Sequence, residues 1–396
     1  HGSFGATPIP VLELQTELRL RMERQQVLFL DHELEGMLVE VRGRLGAFVG
    51  ADPDDLAFVP NATTGVNTVL HALQLQPGDE ILATDHEYNA CLNAMQVVAQ
   101  KAGARRVIAN VPYPLSGPDD VVEAILGRVT DRTRLAVISH ITSPTAVVFP
   151  IERIVRELTE RGVDTLVDGA HGPGMLPLNL DELGAAYYTG NCHKWMCSPK
   201  GSALLHVRRD RQAGLRPAVI SHGTNSPRRD RSRFRLEFDW GGTADPTAFL
   251  CIPAAIDFMA GLVPGGWPEI MRRNRELAAQ ARGVLISRLP QPELAPVSML
   301  GATAAIEVPA DLTPLPMDPT PDFAGDETWP NDPLHDVLWA DHRIEVPVYP
   351  WPHTPAVNRP RHRLLRVSAQ LYNSIEQYER LANVLSNLQS VDGARG

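Results

Sequence analysis

Between residues 56 and 207 the chain repeats one pattern: a short apolar run, a turn, then an amphipathic stretch. The runs are LAFVP, EILAT, RRVIANV, RLAVISHI, DTLVDG and AAYYTG, with ALLHV as a further short strand candidate. Strands that alternate with helical stretches at this spacing pair mostly in parallel, because each crossover returns the chain to the same edge of the sheet. The pattern predicts an α/β fold with a mostly parallel sheet covered by helices on both faces. In such a sheet ligands sit beyond the carboxyl ends of the strands, so the loops after these runs are where chemistry is sought.

The flanks differ. Residues 11–48 have helical periodicity with few breakers and read as one long or two consecutive helices. From about residue 250 the texture changes: AFLCIPAAIDFMAGL, WPEIMRRNRELAAQARGVLISRL and IEQYERLANVLSNLQ read as helices, AAIEVPA and the residues around RIEVPVYP as strands. We place a boundary there, with a large domain over 1–250 and a smaller α+β domain over 251–396. Between the later elements, PADLTPLPMDPTPDFAGDETWPNDPL is rich in proline and acid and reads as an irregular surface excursion, suited to a lid.

A net charge of −10 argues against a general nucleic-acid binder, and no apolar run is long enough for a membrane span. The basic cluster RRDRSRFR (Arg228–Arg235) is the exception, and is read as a solvated loop rather than the rim of an anion site. The four cysteines form neither a zinc-ligand spacing nor a CxxC pair, and no secretory signal is visible. Reduced thiols in the cytoplasm are the expectation. No metal is expected either, since His86, His140, His171 and His193 lack ligand spacing.

The loops after the strands concentrate polar and small residues. AFVPNATTGVNTVL runs from a strand through Asn61–Gly65 into a helix; its free backbone N–H groups suit a phosphate, although Thr63 or Thr64 as a simple helix cap explains the residues as well. ILATDHEYNA presents His86 and Tyr88, either of which can stack on a flat ligand or pack in a core. LAVISHITSPT places His140 and Ser143 at the next strand end. DTLVDGAHGPG ends its strand on Asp168, where a buried carboxylate calls for a cationic partner, with a helix cap as the plainer alternative. Gly169 and Gly172 would let a flat ligand approach.

AAYYTGNCHKWMCSPKG then supplies Lys194. The chain has only three lysines, Lys101, Lys194 and Lys200, against abundant arginine. Arginine cannot lose its proton at working pH, whereas a lysine desolvated beside Trp195 and Met196 can act as an amine nucleophile. Lys200 reads as the exposed one.

The order of these features, with HGSFGATP, DHEY, DGAHGPG, HKW, GGTADP and LLRVSAQLYN, resembles the class V aminotransferase family of pyridoxal-phosphate enzymes over essentially the whole chain. Within it, the pattern is similar to the branch of isopenicillin N epimerase and related C–S lyases. The resemblance implies fold type I, with a seven-stranded large-domain sheet and a small C-terminal domain. It implies pyridoxal 5'-phosphate held by Lys194 as an imine, with Asp168 on the pyridine nitrogen and His171 and Ser143 near the phenolic oxygen. Ala62 (through its backbone), Thr63 and Asn191 would hold the phosphate, with His193 beside the lysine. Thr243 would reach the phosphate of a neighbouring subunit, giving a homodimer with shared sites, and Arg366 would grip the substrate α-carboxylate. Tyr88 is preferred to His86 for stacking on the ring, and both are candidate acids.

Two departures narrow the reading. No cysteine occurs in DHRIEVPVYPWPHTPAVNRPRHRLLR, the segment where cysteine desulfurases of this family carry their persulfide acceptor, so persulfide transfer is not expected. Ala146 stands where the family commonly has glycine. The reaction expected is β-elimination from an S-substituted cysteine, with epimerisation or transamination of an amino acid as alternatives. A non-catalytic interaction module on this scaffold would be expected to lack Lys194, Asp168 or Arg366, and all three are present.

Overall fold

The computed structural model describes residues 1–309, 312, 332–352 and 362–393. It divides into two compact units: residues 1–111, 121–141 and 149–272, and residues 112–120, 142–148 and 273–396.

In the first unit two helices, α1 (Ile9–Arg24) and α2 (Leu34–Val49), are joined by a π-helical stretch over Leu28–Glu33. The alternation follows: β1 (Leu56–Val59), α3 (Ala62–Ala72), β2 (Glu80–Thr84), α4 (Asn89–Ala102), β3 (Arg105–Ala109), α5 (Pro118–Leu126), β4 (Thr133–Ser139), α6 (Ile151–Glu160), β5 (Asp164–Asp168), α7 (Leu180–Leu183), β6 (Tyr187–Asn191) and β7 (Ala203–Val207). These strands form a seven-stranded sheet in the order β1-β7-β6-β5-β4-β2-β3. Only β7 runs against its neighbours β1 and β6. The carboxyl ends of β1, β2, β4, β5 and β6 therefore share one edge. Every strand of this sheet coincides with one of the runs read from sequence.

The apolar faces of these elements explain the assembly. Val66, Val69 and Leu70 of α3, with Leu92 and Met95 of α4, pack on Ile81, Val137, Leu166 and Leu205 of the sheet. After β7 come α8 (Arg233–Phe238), α9 (Thr247–Leu250), α10 (Ile252–Ala260) and α11 (Gly266–Arg288). Cys251 and Ala255 pack with Val11, Leu14 and Leu18 of α1, which ties the helices after residue 250 to the first unit. The first unit accordingly extends to Arg272, beyond the boundary expected from the change in texture.

The second unit contains β8 (Thr303–Glu307), α12 (Pro333–His342), β9 (Val348–Trp351), β10 (His362–Ser368) and α13 (Ile375–Gly393). Its three strands pair antiparallel in the order β8-β10-β9. Most of the proline-rich stretch expected to form an excursion or lid, residues 310, 311 and 313–331, lies outside the described residues.

The basic cluster meets the solvated-loop expectation at exposed Arg228, Arg229 and Asp230 and departs from it at Arg235, which is buried on α8. Arg228 and Arg231 both pair with Glu35, and Arg235, only 6% exposed, pairs with Asp54 at 2.6 Å and Asp239 at 3.2 Å. Asp239 also accepts from Arg42, which is fully buried. A buried guanidinium must be paired, and Asp239, which directly follows α8, receives both Arg235 and Arg42 of α2, so these charges hold the end of α8 to α2.

Candidate active site

The strand ends of the first unit bring Asn191, Ala62, Asp168, His171 and Lys194 to one edge of the sheet. Asn61, not Thr63 or Thr64, caps α3: its Oδ1 accepts from the Thr64 N–H at 2.8 Å. The Ala62 N–H, expected to serve a phosphate directly, donates to Asn191 Oδ1 at 2.8 Å, which ties α3 to the end of β6. Thr63 is half-buried on the first turn of α3.

Asp168 is 4% exposed at the end of β5. No helix begins there, so the cap alternative falls away. Its Oδ1 accepts from the Ala170 N–H at 3.0 Å and its Oδ2 from the Cys91 thiol at 3.2 Å. Burial pushes the Cys91 thiol well up from its ordinary value, and the nearby Asp168 charge adds to this, so Cys91 stays a protonated donor. Among the described residues no arginine, lysine or histidine forms an ion pair with Asp168. A buried carboxylate with one neutral donor on each oxygen suits an external cation.

Glycines 169 and 172 are required by the neighbouring Tyr188 side chain. A Cβ at either would lie 2.1 Å from Tyr188 atoms, because the fully buried Tyr188 ring fills that space. Tyr188 Oη lies 3.2 Å from His140 Nδ1. Burial pulls His140 down to about 4, so it is neutral at pH 7.

Lys194 is half-buried after β6, and its Nζ lies 3.1 Å from His171 Nε2. The other ring nitrogen, Nδ1, accepts from Trp195 Nε1–H at 3.2 Å. With Nδ1 accepting, a neutral His171 carries its proton on Nε2, the nitrogen that faces the lysine amine. The adjacent His193 donates through Nδ1 to the Ser202 carbonyl at 2.8 Å, and burial holds it neutral, down to about 4. Lys200 is exposed, as expected.

The stacking candidates separate clearly. His86 is fully buried with its ring 5.6 Å from that of Phe149, whereas Tyr88 caps α4 and is 48% exposed. Thr243 is exposed in the loop before α9. In the second unit Arg366, 2% exposed on β10, donates to the Ser143 carbonyl and, at 3.1 Å, to its Oγ, with its guanidinium 5.4 Å from the Tyr349 ring centroid. Ala146 adopts a left-handed φ of 57°, the reason glycine is common at such a position. Cys91 and the Trp195–His171 contact were not foreseen; both depend on where α4 and the β6 loop turn, which apolar periodicity does not encode.

The model of the family described as aminotransferase class-V matches residues 22–308. The chain belongs to the class-V aminotransferase family. It is 37% identical to an isopenicillin N epimerase of Amycolatopsis lactamdurans, over 98% of this chain and 94% of that one. A probable L-cysteine desulfhydrase, chloroplastic, of Arabidopsis thaliana is 28% identical over 98% of this chain and 82% of its own length. Among solved structures, a cysteine desulfurase from Thermococcus onnurineus superposes with a TM-score of 0.74 at 20% identity, covering 98% of this chain and 94% of that one. No helix among the described residues is long and apolar enough to cross a membrane.

Proposed function

We propose that this class-V protein is a pyridoxal-phosphate-dependent C–S lyase that eliminates the sulfur of an S-substituted cysteine. The donor set fits that cofactor: an amine poised for an aldehyde, a buried carboxylate for a protonated ring nitrogen, and a helix N-terminus flanked by Asn191 for a phosphate. Lys194 holds the aldehyde carbon and Asp168 the pyridine nitrogen, while Thr63, Asn191 and the Ala62 region hold the phosphate. His171, with Ser143, serves the phenolic oxygen, Tyr88 or His86 covers the ring, and His193 fixes the turn before the lysine. Bound in this way, the cofactor supplies a sink for the electron pair left at Cα.

The chain's own groups do the rest. Arg366 grips the substrate α-carboxylate, which orients the Cα–H bond. Lys194, freed by the incoming substrate amine, would take the Cα proton as general base, and a proton from the same side would reach the departing sulfur. The products of S-substituted cysteine and water are then the free thiol, pyruvate and ammonium.

The observation that carries this reading is the Trp195–His171–Lys194 series, which sets the lysine amine beside an oriented histidine. Elimination needs acid and base on one side only, whereas epimerisation needs a second acid across Cα. The relative named a probable L-cysteine desulfhydrase supports elimination. The 37% identity to an isopenicillin N epimerase favours a second reading, in which Tyr88 or His86 reprotonates the opposite face. Exposed Thr243 fits the role of reaching a partner's phosphate, so the proposed enzyme is a homodimer with shared sites. Four buried free cysteines suit a reducing compartment such as the cytoplasm.

Incubation with S-conjugated cysteines tests the reading. Stoichiometric pyruvate and thiol are expected. Solvent deuterium at an inverted Cα, without pyruvate, would establish the epimerase instead.

A further inference from the structure

We propose that residues His1–Thr7 form a strap that positions Lys194, acting on its backbone and, through Trp195, on its side chain. The inference rests on the reading of Lys194 as the cofactor-binding lysine. The contacts run along both sides of the loop. The Gly5 N–H donates to the His193 carbonyl at 3.2 Å, and the Thr7 hydroxyl donates to the Ser198 carbonyl at 3.2 Å. Lys200 Nζ donates to the Gly5 carbonyl. His1 Nε2 lies 3.1 Å from the Lys194 carbonyl, which can only accept, so that nitrogen carries the proton.

The fit leaves no slack at Gly5. A Cβ there would lie 2.1 Å from the Lys194 carbonyl oxygen and 2.5 Å from that of His193. The His1 ring packs on Trp195 with centroids 4.9 Å apart, and Trp195 is the donor that fixes His171 opposite the lysine amine. A segment remote in sequence thus touches the lysine's carbonyl directly and its amine through two aromatic side chains. The loop is also bent internally, with Cys197 at φ 61° and its N–H on the Lys194 carbonyl at 3.1 Å. An amine on a long, freely rotating stem attacks an aldehyde efficiently only if its Cα is held, and the strap supplies that restraint. His1 and Gly5 are positioning residues; neither is assigned a proton transfer.

The scarcity of lysine makes the test sharp. A lysine-specific endoproteinase has only Lys101, Lys194 and Lys200 as targets in this 396-residue chain without cofactor. In Gly5→Ala, cleavage after Lys194 and Lys200 is expected to rise roughly tenfold, about the weight of one lost hydrogen bond, with cleavage after Lys101 in α4 unchanged. The rate at which added pyridoxal phosphate becomes borohydride-trappable on Lys194 should fall by a similar factor. Should Gly5→Ala not fold, which cleavage after Lys101 reports, His1→Ala carries the test: slower trapping is expected, with recovery in His1→Gln, which keeps the N–H donor. Wild-type protection and trapping rates in every folded variant would overturn the strap. Loss of protection alone, with trapping as fast as in wild type, would also overturn it as a positioning device. If even the wild-type protein traps nothing on Lys194, the reading of that lysine fails, and the protease pattern alone decides whether the strap holds the loop.

Discussion

Glu87 is the residue whose chemistry the fold alters most visibly. Fully buried, it accepts from Thr84 Oγ1 at 2.8 Å and from Ser139 Oγ, yet desolvation outweighs both bonds and, with the nearby Asp168 charge, pushes its carboxyl up to about 8. The folded state therefore keeps a proton that the unfolded chain releases above its ordinary value of 4.5, so this group's contribution to stability declines as pH rises from about 4.5 to 8. His140 and His193 act in the opposite sense: burial lowers both to about 4, and their contribution is lost as pH falls from about 6.5 to 4. As pH climbs towards 8, well above the histidines' ordinary value of 6.5, Glu87 becomes the one of these three whose protonation still differs between the two states. Glu87→Gln should remove a fall in melting temperature that the wild-type protein shows over that climb, as followed by calorimetry; parallel profiles would refute the assignment. Residue by residue, the sequence was legible where a type is rare or costly. Lys194 is one of three lysines, and Asp168 ends an apolar run. It was opaque where a role is set by a distant neighbour, as for Cys91 on Asp168 or Tyr188 over Gly169.

At the scale of elements, the junction of α3 with β6 aligns the helix proposed to hold the phosphate with the lysine loop. Gly65 makes that junction possible, since a Cβ there would lie 2.1 Å from Thr189 Oγ1. Thr189 cannot easily give way, because its hydroxyl donates to the Leu204 carbonyl at 2.9 Å within the sheet. Gly65→Ala should therefore destabilise the protein by about 1–3 kcal/mol and weaken cofactor retention, read by thermal melts with and without added pyridoxal phosphate. A neutral result would mean that α3 can lift from the sheet without cost. The strands of the large sheet were readable because each carries a short apolar run next to a turn. β10 was not read as a strand: Arg363 and Arg366 break its pattern, and both are buried there only because Asp332 and the Ser143 carbonyl receive them.

For the whole molecule, the compact units do not follow the change in texture near residue 250. The βα alternation stops before residue 250, yet α9 and α10 still cover α1, so the first unit persists to Arg272 and the second takes residues 112–120 and 142–148 from within the first. Periodicity reports elements, whereas units are set by which apolar faces meet. The function proposed for the molecule depends on one covalent link at Lys194. Its most direct measurement is borohydride reduction of the enzyme loaded with pyridoxal phosphate, followed by peptide mass spectrometry over Lys101, Lys194 and Lys200. The account predicts the reduced pyridoxyl group on Lys194 and its loss, with turnover, in Lys194→Ala; a label on either of the other lysines, or none at all, would contradict it.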